Sequence, residues 1–167
     1  GPWDNGDIGP QAYAFVDILK KSNQSYWQVL PFGPVPQTRC PYSTHSALAG
    51  CETLLSPHDF VSRGLLVDQD LTEAKSSLLI KAFISFRKRP SGFLANELTA
   101  FREKHSHWLR DYCLFRVLKD KQEGRPWYQW PVDLRKCTSS ERLSLPKHFE
   151  DEIMYQEFLQ FMFELQW

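Results

Sequence analysis

The chain has 167 residues, and its 20 basic and 20 acidic side chains give a formal net charge of zero. This balance argues against a dominant nucleic-acid or membrane-surface role, because such a role normally brings an excess of Lys and Arg. The length allows one domain with a substantial core, and an aromatic content of 14% suits dense packing or a site that stacks flat ligands or sugars.

The chain opens with a turn-forming stretch that leads into the first predicted helix. Gly, Asn and Pro around Asp7 predict a loop, in which the carboxylate either stabilises its own turn or faces a ligand. In residues 11–21 the apolar side chains recur at helical spacing, Pro10 suits the entry position, and two lysines suit the exit. We therefore predict a helix over 11–21.

A short apolar run with aromatic and β-branched side chains begins at Tyr26 and is closed abruptly by Pro31, Gly33 and Pro34. This pattern predicts one buried strand of about five or six residues, followed by a turn. A helix leading into a buried strand indicates an α/β unit. Because a single strand cannot form a sheet, the sequence also predicts that the chain holds only part of a larger fold.

A long loop rich in proline follows the strand, over residues 34–57. If the strand is parallel and belongs to a barrel, this loop leaves its carboxyl end, the face on which barrel enzymes place their active sites. We expect the loop to be held by leucine side chains at 48, 54 and 55. Four side chains would then lie near substrate: Tyr42, Ser43, His45 and Ser46.

The rest of the chain is predicted to be almost entirely helical. Helical spacing of apolar residues predicts helices over 59–66, 72–89, 93–103, 105–121 and 146–167, with a short extended piece near 67–71. The basic run Arg87, Lys88 and Arg89 is interpreted as a solvated helix end. Trp127 and Trp130 form an aromatic turn that serves either as a sugar platform or, as we favour, as packing.

The sequence lacks the spacing of several common functional sites. Its histidines are scattered, and the four cysteines form no C-x-x-C pair, so no metal site is predicted. We find no glycine-rich nucleotide loop and no nucleophile elbow. The cysteines are interpreted as free thiols, and no apolar run approaches the roughly 18 residues of a membrane span, so we expect a cytoplasmic location.

Several segments, taken together and in order, resemble one enzyme family, the 4-α-glucanotransferases, also called amylomaltases or disproportionating enzymes. No single motif is decisive, but the ordered set covers essentially the whole chain. The segments are GDIG (6–9), AYAFVDIL (12–19), YWQVLPFGP (26–34), PYS (41–43), SALAG (46–50), WLRDYCLF (108–115), PWYQWP (126–131) and YQEFLQFMFELQW (155–167).

This resemblance implies the N-terminal part of a (β/α)8 TIM barrel with a mainly helical insertion, incomplete in this chain. Residues 1–58 would hold the start of the barrel, with the first strand and the loop on the active-site face. Residues 59–167 would hold the insertion and the helix leading to the next strand. The expected partners are malto-oligosaccharides or glucan, and the rest of the barrel.

The resemblance also implies a reaction, the retaining transfer of α-1,4-glucan segments by an Asp nucleophile and a Glu acid/base, with no cofactor or metal. Those carboxylates belong to segments that would follow residue 167, so no catalytic residue is assigned here and the chain alone is expected to be inactive. The substrate-binding residues carried over are Tyr42, Cys40, Ser46 and Asp7, the last with a structural role as an equal alternative.

Cys40 stands where the family has Ser, and Cys51 with Glu52 where it has Asn-Pro, which alters the expected sugar contacts. Two other functions stay open from the sequence. One is a non-catalytic glucan-binding remnant of a truncated gene. The other is a helical interaction protein that presents its aromatic faces to a partner.

Overall fold

The structure is a computed structural model that describes residues 3, 6–36, 40–136 and 145–167. Within these residues all regular structure is helical. The α-helices are α1 (Pro10–Lys21), α2 (Pro57–Ser62), α3 (Lys75–Arg87), α4 (Phe93–Lys104), α5 (Leu109–Lys121), α6 (Val132–Arg135) and α7 (Glu150–Gln166). Short 3₁₀ turns lie at Glu52–Leu54, Asp68–Thr72, Trp127–Gln129 and Leu145–His148.

Helix α7 is the centre of the core, because it packs against α3, α4 and α5. Phe158 at its middle is fully buried. The Phe158 ring lies 6.2 Å from Phe60 of α2, 5.5 Å from Phe83 and 5.0 Å from Phe86 of α3, measured between ring centroids. Burial of these aromatic rings therefore joins the helical part of the chain into one apolar core.

The predicted helices are present, but several begin or end at other residues; the helix predicted over 59–66, for example, is Pro57–Ser62. The helix predicted over 105–121 begins at Leu109, after a turn, and the last begins at Glu150, after a 3₁₀ turn. The extended piece predicted near 67–71 is wrong, because this segment forms the 3₁₀ turn Asp68–Thr72. There Asp70 Oδ2 accepts the Val67 backbone N–H at 3.0 Å, and this local bond favours a turn over an extended chain.

The predicted buried strand is not formed. Residues 24–31 form neither helix nor strand and join no β-ladder within the described residues, and the side chains of Tyr26 and Leu30 are 93% and 55% exposed. A strand is stable only when a neighbour pairs its backbone N–H and C=O groups, and the described chain offers none. The (β/α)8 part of the predicted fold is thus not seen directly.

Helix α1 shares this exposure, since none of its residues is buried. The ring of Phe15 in this helix makes an edge contact with the ring of Trp27, 4.9 Å between centroids, but the two residues remain 40% and 44% exposed. We call the exposed apolar side chains of this region the N-terminal apolar surface: Tyr13, Phe15, Val16, Ile18, Tyr26, Trp27, Val29 and Leu30. A contiguous group of exposed apolar side chains often marks an interaction site.

Two expectations about the chemistry of the chain can be compared with the structure. Cys40, Cys51 and Cys113 are free thiols, as predicted, while Cys137 lies outside the described residues. Among the helices of the described residues, none combines the length and apolar composition needed to cross a bilayer.

Tyr155 of α7 gives the fold a testable sensitivity to alkaline pH. Burial, followed by the charges of Glu52 and Asp120, raises the pKa of Tyr155 to about 12. A phenol with a raised pKa in the folded state binds its proton more tightly there, so stability falls as pH rises above the ordinary value of about 10. We expect Tyr155→Phe to lose less stability than the wild type between pH 10 and pH 12, measured by urea unfolding.

The matched control is Tyr128→Phe, because Tyr128 is 58% exposed. This variant should follow the wild type throughout the alkaline range. Equal pH dependence of the wild type and Tyr155→Phe would contradict the assignment.

Candidate functional site

The loop over residues 34–57 folds back on itself. The backbone N–H of Cys51 donates to the carbonyl of Phe32 at 2.7 Å, and that of His45 donates to Pro34 at 3.2 Å. These two bonds join the beginning and the end of the loop. The loop therefore has a fixed base, and its tip around Cys40–Pro41–Tyr42 projects from that base.

Two glutamines of α7 clamp the end of this loop. Gln160 Oε1 accepts the Gly50 N–H at 2.8 Å, and its Nε2 donates to the Gly50 carbonyl at 3.0 Å. Gln166 repeats the pattern with Ser56, at 2.7 Å and 3.3 Å. Each buried side-chain amide thus satisfies both backbone groups of one loop residue, as a neighbouring strand would.

A cleft of about 460 Å³ lies between this loop and the core helices, and we call it the loop cleft. Its volume is in the range of small-ligand sites. Loop residues form one wall, while aromatic and polar side chains of α4, α7 and the α4–α5 turn form the other. The second wall consists of Phe101, His105, Trp108, Gln160, Phe163, Glu164 and Trp167.

A hydrogen-bonded chain fixes the polar side of the loop cleft. The indole Nε1–H of Trp108 donates to His105 Nδ1 at 3.1 Å, so in the neutral ring the proton is on Nε2 and is donated to Glu164 Oε2 at 2.7 Å. Lys104 also donates to Glu164, at 2.8 Å. Burial works against ionisation, but these bonds outweigh it and hold the pKa of Glu164 below its usual value. A carboxylate held in place beside aromatic rings can accept hydrogen bonds from the hydroxyl groups of a ligand.

Of the predicted site residues, Ser46 lines the loop cleft. Its hydroxyl accepts the backbone N–H groups of Leu48 and Ala49, both at 3.1 Å, and so shapes the turn. The side chain of Tyr42 is 73% exposed, at the projecting tip and outside the lining of this cleft.

The thiol of Cys40 lies at the same tip as Tyr42. A hydrogen bond from the Ser43 side chain, with a weaker contribution from the backbone of Tyr42, lowers the pKa of Cys40. The structure therefore brings Cys40, Tyr42 and Ser43 into one turn and leaves Ser46 at its base.

Asp7 lies elsewhere, at the start of α1. Its Oδ2 is buried without a hydrogen-bond partner among the described residues, close to Gly9 and Ser56. Nearby, Lys75 Nζ donates to the Thr53 carbonyl at 2.6 Å; burial lowers the pKa of Lys75, and the negative charge of Asp7 opposes that shift. Asp7 therefore belongs to a polar cluster under α1 and does not line the loop cleft.

His45 is half-buried and turned towards the core. Its ring makes an edge contact with Phe115, 6.2 Å between centroids. Burial, then the charges of Lys119 and Arg116, lowers its pKa. The neutral ring thus stabilises the loop base.

The three leucines expected to hold the loop differ in their roles. Leu55 is fully buried and Leu54 is half-buried, whereas Leu48 is 60% exposed, so for Leu48 the prediction is wrong. Sequence reasoning also missed Gln160 and Glu164. For Gln160 the sequence offered one signal, namely a polar residue on the apolar face of a strongly periodic helix.

The two tryptophans of the aromatic turn separate in the structure. Trp130 is buried, stacks on Phe115 at 5.8 Å, and donates its indole N–H to the Arg125 carbonyl at 2.9 Å. The favoured packing role is therefore confirmed for Trp130. Trp127 is 60% exposed.

Gly50 gives a test of the contact between the loop and α7. A Cβ placed on Gly50 would clash with the Phe163 ring, so the ring or the loop must move. We expect Gly50→Ala to lower the free energy of unfolding by about 1–3 kcal/mol, the range for overpacking. Urea unfolding measures this cost, and Gly92→Ala, whose added Cβ would lie 3.3 Å from the Arg89 carbonyl oxygen, is the comparison and should cost less. An unchanged stability of Gly50→Ala would mean that the loop does not pack against α7 as described.

Comparison with solved structures shows that the fold of this chain is a known one. An amylomaltase from Streptococcus agalactiae, solved in complex with acarbose, superposes on 96% of this chain with a TM-score of 0.86 and 24% sequence identity. The match covers 36% of that chain. The likeness shows the fold of the corresponding part of that protein.

Sequence comparisons give the family. The chain is 33% identical to the 4-alpha-glucanotransferase of Aquifex aeolicus and 34% identical to that of Thermus thermophilus, over 99% and 100% of its length. It is 32% identical to the chloroplastic/amyloplastic enzyme of Solanum tuberosum. The chain spans about a third of the length of these relatives, at 36%, 36% and 32%. Since the family model for 4-alpha-glucanotransferase also matches residues 1–167, the chain belongs to the 4-alpha-glucanotransferase family.

Proposed function

We propose that this chain forms part of a 4-α-glucanotransferase, which transfers α-1,4-glucan segments between malto-oligosaccharides by a retaining mechanism. The supporting observation is the family match over the full 167 residues, with relatives of that name at about one-third identity. In this proposal the two catalytic carboxylates lie in the two thirds of the relatives that the chain does not span. The free thiols suit a reducing compartment, and we propose the cytoplasm.

The projecting loop is the proposed contribution of this chain to substrate binding. The exposed ring of Tyr42 suits packing against a glucose face, because the apolar face of a sugar favours aromatic surfaces. Cys40 lies beside it, and Ser46 lies at the base where the loop cleft begins. For Asp7 we favour the structural alternative, because its carboxylate lies in the polar cluster under α1.

The N-terminal apolar surface is the proposed contact with the rest of a (β/α)8 barrel. In this proposal residues 1–58 carry the first strand and the active-site loop, and residues 59–167 form the helical insertion. Residues 26–31 have the apolar composition of a buried strand and yet are exposed. Neighbouring strands would pair their backbone and cover Val29 and Leu30.

Complementation tests this proposal. We expect the chain alone to show no disproportionation of maltotriose. It should gain activity when mixed with the part of the Thermus thermophilus relative that lies beyond the matched region. Assembly is followed independently by the fluorescence of Trp27, which should become buried.

Tyr42→Ala in the assembled enzyme should weaken maltoheptaose binding by tenfold or so, about 1.4 kcal/mol. Tyr128→Ala, which removes another exposed tyrosine ring far along the chain, should leave binding unchanged. Assembly without activity would favour a non-catalytic glucan-binding remnant. Neither assembly nor saturable glucan binding would contradict both glucan functions and favour the helical interaction protein.

A further inference from the structure

A second cavity, of about 350 Å³, lies between the end of α2, the end of α3 and the start of α4. We call it the arginine cavity. Its floor is apolar, because the side chains of Leu65 and Phe86 are 3% and 4% exposed and belong to the core. Arg63 and Arg89 stand at its rim. None of the residues that line the loop cleft contributes to it.

Both guanidinium groups are held in place by local bonds. Arg63 Nε donates to Asp59 Oδ2 at 2.6 Å, and Arg89 Nη2 donates to the Gly64 carbonyl at 3.0 Å. Each guanidinium has five N–H donors in a planar fork, so these bonds leave most donors of each group for another acceptor. Held arginines lose less side-chain entropy on binding an anion than free ones do.

The charged side chains that line this cavity are positive. Its polar lining side chains are Arg63 and Arg89, and no carboxylate lines it among the described residues. The exposed Lys88 adds a third positive charge beside Arg89 in the chain. Asp59, which pairs with Arg63, is an acidic side chain next to the cavity. The local field therefore favours an anion, although the chain as a whole is neutral.

From this geometry we propose that the arginine cavity binds a small monocarboxylate with an apolar body of about eight carbon atoms, a size suited to the lower end of ligand-site volumes. The carboxylate would accept hydrogen bonds from the Arg63 and Arg89 forks, and the apolar body would cover Leu65, Phe86 and Leu94. A sugar fits less well, because the floor offers its hydroxyl groups no acceptor. The inference does not depend on the proposed glucan function.

Octanoate is the probe for the test, with octan-1-ol as its uncharged counterpart. Titration of the whole chain by calorimetry should show saturable, one-to-one octanoate binding, at least tenfold tighter than octan-1-ol. Two-dimensional NMR should place the largest shifts at Leu65, Gly92 and Leu94. Equal affinity for the two probes, or no saturable binding, would overturn the proposal.

Paired variants separate this site from general surface binding of alkyl chains. Arg89→Gln should weaken octanoate binding at least tenfold and leave octan-1-ol unaffected. The control is Arg125→Gln, which removes an exposed arginine that pairs with Glu123 at 2.9 Å and should change neither. Shifts centred on the N-terminal apolar surface, or a loss equal for Arg89→Gln and Arg125→Gln, would overturn the proposal.

Discussion

Replacing Gln160 by Leu is expected to lower the free energy of unfolding by about 2–4 kcal/mol. The substitution puts an apolar side chain of similar size in place of the amide, and it leaves the N–H and the C=O of Gly50 without their partners. Gly50 and Gln160 are both buried, so water does not replace the lost bonds. Each unsatisfied buried group costs about 1–3 kcal/mol, less when the loop can shift towards solvent. Urea unfolding of the wild type and the variant measures the difference.

Two controls distinguish lost hydrogen bonds from general damage to the core. Gln160→Glu can still accept the Gly50 N–H but cannot donate to its carbonyl, so its stability should lie below that of the wild type. Gln129→Leu, at an exposed position, should have the wild-type stability within about 0.5 kcal/mol. If Gln160→Leu were as stable as the wild type, the clamp would not hold the loop. Amide exchange at Gly50 gives an independent readout, since opening should become faster in Gln160→Leu.

Replacing Arg102 by Met is expected to lower the free energy of unfolding by about 2–4 kcal/mol, because it removes the partner of a buried carboxylate. The side chain of Glu157 is only 4% exposed. Arg102 binds one of its oxygens through Nε at 2.8 Å and Nη2 at 2.6 Å, whereas Arg110 lies 4.0 Å from the other. Breaking a buried pair by removing one partner is strongly destabilising, since the remaining charge is uncompensated.

A double-mutant cycle isolates this ion pair. Arg102→Met combined with Glu157→Gln removes the charge from both sides and should recover at least half of the lost stability. Lys104→Met is the matched control on the same helix, because Lys104 is exposed and pairs with the partly exposed Glu164. It should cost no more than about 1 kcal/mol. Additive effects of the two substitutions at positions 102 and 157 would contradict the coupling.

The candidate site could be predicted only in part. The sequence indicated the loop, because prolines and polar residues after an apolar run are a local pattern, and the family resemblance indicated Cys40 and Tyr42 as expected sugar contacts. It did not indicate that Gln160 clamps Gly50, since these residues are 110 positions apart and periodicity reports only which face of a helix is buried. The partners of a buried polar group depend on tertiary packing.

For the fold, the amino-acid sequence by itself determined the helices, their apolar faces and the ordered segments that mark the 4-alpha-glucanotransferase family. These features depend on side chains close together along the chain. Only the tertiary structure decided the state of residues 26–31, which carry the pattern of a buried strand but remain exposed. Strand propensity expresses how well a segment fits between neighbours. Without neighbouring strands to pair its backbone, an apolar run of this kind forms no strand, whatever its composition.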